Sequence, residues 1–64
     1  MRWTDTQEIA ISLDEAYPDC DVQHLRYTDL HRWIVDLPDF EDDPEASNER
    51  ILEAVQMAWL AERD

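Results

Sequence analysis

Apolar residues recur at helical spacing in three stretches of this chain, and prolines separate the stretches. In the first, Ile9, Leu13, Ala16 and Tyr17 fall on one face, with Ala10 at its edge. Thr4 followed three residues later by Gln7 has the spacing of a capping box, and Pro18 ends the pattern. A helix over about residues 5–17 is predicted. Asp21 then offers a cap for a short turn, DVQHL, that points Val22 and Leu25 inward. Arg26 and Tyr27 follow as an extended linker or a short strand.

The second stretch, TDLHRWIVDL, is the most strongly amphipathic. Leu30, Trp33, Ile34 and Leu37 stand at i, i+3, i+4 and i+7, with Thr28 as the predicted cap. Asp29 lies in the first turn, where a carboxylate suits the helix dipole. Pro38 ends this helix at about residue 37. After the loop DFEDDPEAS, Asp43 and Pro44 have the look of an N-cap and a first helical residue, with Ser47 as a rival cap. The third helix runs to about residue 62 and turns Ile51, Leu52, Val55, Ala58 and Trp59 inward. The expected fold is all-α or nearly so, one domain over 1–64: helix, short turn, helix, long helix. That order fits a helix-turn-helix or modified winged-helix-like domain.

Composition narrows the class. A 44% apolar content with three Trp, two Tyr and one Phe is enough for one compact core. A chain this short leaves little room for a catalytic cleft of the usual size, roughly 300–1,000 Å3, so it is not expected to be an enzyme. Cys20 is the sole cysteine, so no internal disulfide can form. The first residues contain no signal-like apolar region, and no apolar run approaches the roughly 18 residues of a membrane span. A soluble cytoplasmic protein is the expectation.

Charge changes the picture most. Seventeen Asp and Glu face five Arg and no Lys, for a formal charge of −12. Phosphate contacts need basic residues, so nucleic acid is not the expected partner. A basic protein groove or a metal cation is. Five of the acids crowd the loop 39–45: Asp39, Glu41, Asp42, Asp43 and Glu45. Carboxylate oxygens suit hard cations such as Mg2+, Ca2+ or iron, but the spacing is not that of an EF-hand loop. Any site here is expected to be shallow and weak. The plainer alternative is that these acids cap the last helix and solvate the loop.

A second acidic feature lies on the middle helix. Asp29, Arg32 and Asp36 line its outward face at i, i+3 and i+7, a ridge able to dock into an Arg- or Lys-rich groove. As ordinary exposed helix pairs they would contribute only a few tenths of a kcal/mol. The first helix turns Glu8, Ile11 and Glu15 outward, with Asp5 and Asp14 beside them. Ile11, Met57 and Leu60 are off their core stripes, which scattered surface apolars commonly are. His24 and His31 have no histidine partner at i+4 and are expected in packing or surface roles. Asp19 and Asp21 flank Cys20, and their charge should oppose thiolate formation.

Across almost its whole length the chain resembles the IscX family, small acidic accessory proteins of bacterial iron–sulfur cluster assembly. The resemblance rests on WTD at 3–5, AYPD at 16–19, RYTDLHRWIVDL at 26–37 and DFEDDPEASNERILEAVQMAWLAE at 39–62. It implies a modified winged-helix or helix-turn-helix fold without a DNA-binding surface. It also implies an adaptor or iron-dependent regulator that binds the pathway's cysteine desulfurase through an acidic face. Iron would be held weakly by surface carboxylates, and no enzymatic activity is implied. Carried onto this sequence, the partner face would include Asp5, Glu8, Asp29, Arg32, Asp36 and Asp39, and the iron-attracting group Asp39, Glu41, Asp42 and Asp43. A monomer is expected. An iron donor to the assembly scaffold is the alternative, and an acidic nucleic-acid mimic a third class.

Overall fold

A computed structural model describes residues 1–63 and is all-helical among them. Three α-helices form: α1 (Thr6–Ala16), α2 (Tyr27–Val35) and α3 (Glu49–Glu62). Single 3-10 turns at Val22–His24 and Pro44–Ala46 interrupt the two connections. α1 packs most extensively on α3, which also touches the Val22–His24 turn and α2.

The core follows the helical stripes closely. Ile9, Leu13, Leu30, Ile34, Val55 and Trp59 are fully buried, with Leu37 and Leu52 nearly so. Trp33, Ile51 and Ala58 are half-buried at its margin. Two assignments in α1 change places. Ala10 is in the core and Ala16 is exposed, because the helix ends at Ala16 and its last turn has left the packed interface.

The helix starts are where the sequence reading needs correction. α1 begins after Asp5, not Thr4, and no capping box forms: the Gln7 side chain instead donates to Glu62. Arg26 and Tyr27 are not a strand. Arg26 is an extended N-cap and Tyr27 the first helical residue of α2, one position before the predicted cap Thr28. The Tyr27 hydroxyl donates to Gln56 Oε1 (3.2 Å), and Gln56 Nε2 donates to the Val22 carbonyl (2.8 Å). That chain ties the start of α2 and the 22–24 turn to α3. Asp43 and Pro44 open only the short 3-10 turn. The cap of α3 is Asn48, whose Oδ1 accepts from Ile51 N (3.0 Å), rather than Asp43 or Ser47.

Arg63 fastens the far end of α3. Its guanidinium donates to Asp14 Oδ1 (3.0 Å), the Tyr17 carbonyl (2.8 Å) and the Cys20 carbonyl, and it lies 5.3 Å from the Trp59 ring centroid. The two carbonyls belong to the chain leaving α1, so one side chain closes the turn that Pro18 starts. Cys20 beneath it is half-buried, and burial pushes its thiol above the ordinary value, with Asp21 adding to the effect and Arg63 opposing it.

A candidate acidic docking face

The acidic loop is anchored by a residue that pattern reading passed over. Trp3 is 3% exposed, its ring 4.8 Å from Phe40 edge-on and 5.5 Å from His31 in a stack. Its indole N–H donates to the Asp43 carbonyl (2.7 Å) and its backbone N–H to Asp42 Oδ2 (3.1 Å). Met1 completes the seam, donating to the Asp39 carbonyl (2.5 Å) and accepting from Glu41 N (3.0 Å). Periodicity could not find Trp3, since it precedes the first helix. The signal available was chemical: a large aromatic in a small chain seldom stays in water.

Several loop carboxylates therefore already hold backbone groups. Asp42 accepts from Trp3 N through one oxygen and from Asp43 N (2.8 Å) through the other. Asp43 Oδ1 accepts from Glu45 N (2.9 Å). The Asp43 N–H, followed by that of Trp3, holds the Asp42 carboxyl below its ordinary value of 3.8. Asp14 is lowered likewise, first by Arg63 and then by the Trp59 indole (3.2 Å). In both, desolvation pushes the other way without cancelling the shift.

The sign of the pH effect follows. A carboxyl depressed in the folded state stabilises above its unfolded value and loses that contribution as pH falls through the depressed one. Asp42→Ala should therefore be less stable than the parent at pH 7. The gap should narrow as urea unfolding is repeated at pH falling from about 3.8 through the depressed value of Asp42, below which the parent's carboxyl is itself protonated. A gap that persists undiminished to pH 2 would contradict this assignment.

The iron-attracting group read from the sequence is spread along the loop. Among the described residues no three His, Cys, Asp or Glu side chains converge on a point that could hold one metal ion. Iron at Asp42 would have to share oxygens that already accept the Trp3 and Asp43 N–H groups. The residues present fit a diffuse attraction for cations and not a closed ligand set.

The acidic face read from the sequence has a clearer geometry. Asp36 is exposed and Asp29 41% exposed on α2, directly opposite the buried Leu30 and Ile34. Arg32 Nη2 lies 3.3 Å from Asp29 Oδ1, as the ridge spacing predicted. Asp36 is the C-cap of α2 and Asp39 follows it, so two carboxylates stand at the negative end of a helix dipole. That placement opposes the helix dipole and costs some stability. Glu8 and Asp39 are exposed. Asp5 is partly engaged, its carboxylate accepting from Arg2 N (2.8 Å) in the turn before α1.

Glu8, Ser12 and Glu15 share one side of α1, and Ser12 and Glu15 flank the same hollow as Leu37 and Asp39. Glu15 of α1 and Asp39 of the loop are thereby brought to the rim of one hollow, a nearness the sequence reading did not include. Among the described residues only Asp14 and Asp29 are paired with an arginine. Most of the −12 charge is turned outward without internal compensation. No helix described is long and apolar enough to cross a membrane.

Known proteins place the chain in context. The profile of a family described as iron-sulphur cluster assembly matches residues 1–64. An uncharacterized protein of Pseudomonas aeruginosa is 53% identical over 64 residues, covering 100% of this chain and 97% of its own length.

Proposed function

The chain belongs to the IscX family of iron–sulfur cluster assembly proteins, and from that membership we propose that it is an acidic adaptor and regulator of the pathway's cysteine desulfurase. Docking runs through the carboxylate-rich face formed by Asp29, Asp36 and Asp39, with Glu8 and Asp5 at its margin and Arg32 within it. The observation that carries this reading is the α2 ridge. Asp29 and Asp36 are fixed in register by a helix whose other side is locked in the core, so their charge is presented without an ordering cost. A rigid acidic surface steers a basic partner into encounter and gives fast, salt-sensitive association.

In this reading the protein acts in the cytoplasm as a monomer, without catalysis of its own. The three-helix core is a helix-turn-helix scaffold, of the modified winged-helix kind, whose surface carries carboxylates where a DNA-binding relative would carry cations. Iron is attracted weakly by the loop carboxylates Asp39, Glu41, Asp42 and Asp43. An iron-donor role is the second reading. It is less well supported because Asp42 and Asp43 already bond backbone N–H groups.

Replacing both ridge carboxylates tests the proposal. Asp29→Asn with Asp36→Asn should weaken calorimetric binding to the cysteine desulfurase by about tenfold or more at low salt, a loss of roughly 1.4 kcal/mol. Thermal stability should change little, since relieving Asp36 at the unfavourable dipole end offsets the loss of Asp29 from the favourable first turn and from its Arg32 pair. Unchanged affinity in a folded double variant would overturn the assignment of the face.

A further inference from the structure

A stacked aromatic pair, Tyr17 and Trp33, ties the end of α1 to the helix that carries the acidic ridge. Their ring centroids are 4.6 Å apart at an interplanar angle of 22°, and both residues are half-buried. Trp33 stands four residues after Asp29 and three before Asp36, so it is the helical neighbour of both ridge carboxylates. Tyr17 is the C-cap of α1, outside its regular turns. Its ring is therefore held only as firmly as the turn that follows.

That turn is closed from α3. Arg63 Nη2 donates to the Tyr17 carbonyl (2.8 Å), Nη1 to the Cys20 carbonyl and Nε to Asp14 Oδ1 (3.0 Å). The backbone adds little across the same span: Cys20 N reaches the Tyr17 carbonyl at 3.2 Å, the acceptor that Arg63 already uses. The guanidinium is itself seated, 5.3 Å from the ring centroid of the fully buried Trp59, whose indole N–H shares Asp14 Oδ1 (3.2 Å). A planar group with fixed donors bonds two carbonyls and a carboxylate in one geometry, which a lysine ammonium does not reproduce.

We infer that Arg63 is a positioning residue for the acidic face. It sets the Tyr17 ring, and the ring acts as a strut that sets Trp33 and the flank of α2 that carries Asp29 and Asp36. The inference rests on the docking reading above and deepens it, since it names what holds the ridge still from outside α2. Charge gives it a test of sign. Deleting a cation from an acidic docker favours a basic partner by electrostatics alone, whereas loss of a positioning residue disfavours it.

Arg63→Ala should weaken calorimetric binding to the cysteine desulfurase by about fivefold, although the chain becomes more negative. Arg50→Ala removes an exposed arginine that has no ion-pair partner among the described residues, and should leave binding equal or tighter. In Arg63→Ala the indole N–H resonance of Trp33 should move as the Tyr17 ring shifts, and that of Trp3 should not. Arg63→Lys keeps the charge and should recover only part of the lost affinity. Should Arg63→Ala fail to fold, Tyr17→Leu removes the stack and leaves every charge in place. It should weaken binding to the same extent, and Arg63→Lys in that background should add nothing. Binding that tightens in Arg63→Ala as in Arg50→Ala, or a Trp33 resonance that stays in place, would overturn the inference and leave the ridge reading intact. A moved Trp33 resonance with no desulfurase binding by the parent would keep the strut and sink the desulfurase reading.

Discussion

Replacing Trp3 with alanine should destabilise the domain by about 3–5 kcal/mol, the usual cost of truncating a buried tryptophan. A chain of this length has a total stability of roughly 3–10 kcal/mol, so the substitution removes much of it. The loss has three sources. A cavity opens beside Phe40 and His31, the Asp43 carbonyl loses the indole N–H, and the seam between residues 1–3 and the loop loses its centre. Urea unfolding of Trp3→Ala and Trp3→Phe separates them, because phenylalanine restores part of the volume but not the hydrogen bond. The loop should loosen first, seen as faster amide exchange at Glu41 and Asp43, whose N–H groups bond within that seam. A loss below about 1 kcal/mol for Trp3→Ala would show that the loop is held by something other than Trp3.

The same seam places Asp39 just beyond the end of α2, within the proposed docking face. Met1 binds the Asp39 carbonyl while Trp3 binds Asp42 and Asp43, so the acidic loop is held as a shaped extension of the face. Loop acids thus have two jobs. Asp42 and Asp43 organise backbone, and Asp39 and Glu41 remain exposed.

The parts legible in the sequence are those governed by a period. Leu30, Ile34 and Leu37 at helical spacing placed the core side of α2, and by elimination placed Asp29, Arg32 and Asp36 on its outside. The stripe of α3 was equally readable through Leu52, Val55 and Trp59. Tertiary bonds that reuse local signals were not. Gln7 looked like half of a capping box but bonds Glu62, 55 residues away. Asp43–Pro44 resembled a helix start but opens a single 3-10 turn, and Asn48 takes the cap of α3 through its Oδ1, which accepts from Ile51 N. Trp3, Asp14 and Arg63 act through contacts that span most of the chain, which no short window contains. For the same reason the nearness of Glu15 to Asp39 emerges only once α1 and α2 are packed.

The proposed docking of a fixed acidic face on a basic surface of the desulfurase is an electrostatic contact. Screening tests it directly, since the Debye length falls from about 10 Å at 0.1 M salt to about 3 Å at 1 M. Calorimetric titration of the chain into the cysteine desulfurase across that range should show tight binding at the low end. Affinity should then fall by about 10-fold or more, the loss lying mainly in the association rate. Binding that stays constant across the series, or is absent at the lowest salt, would contradict the account.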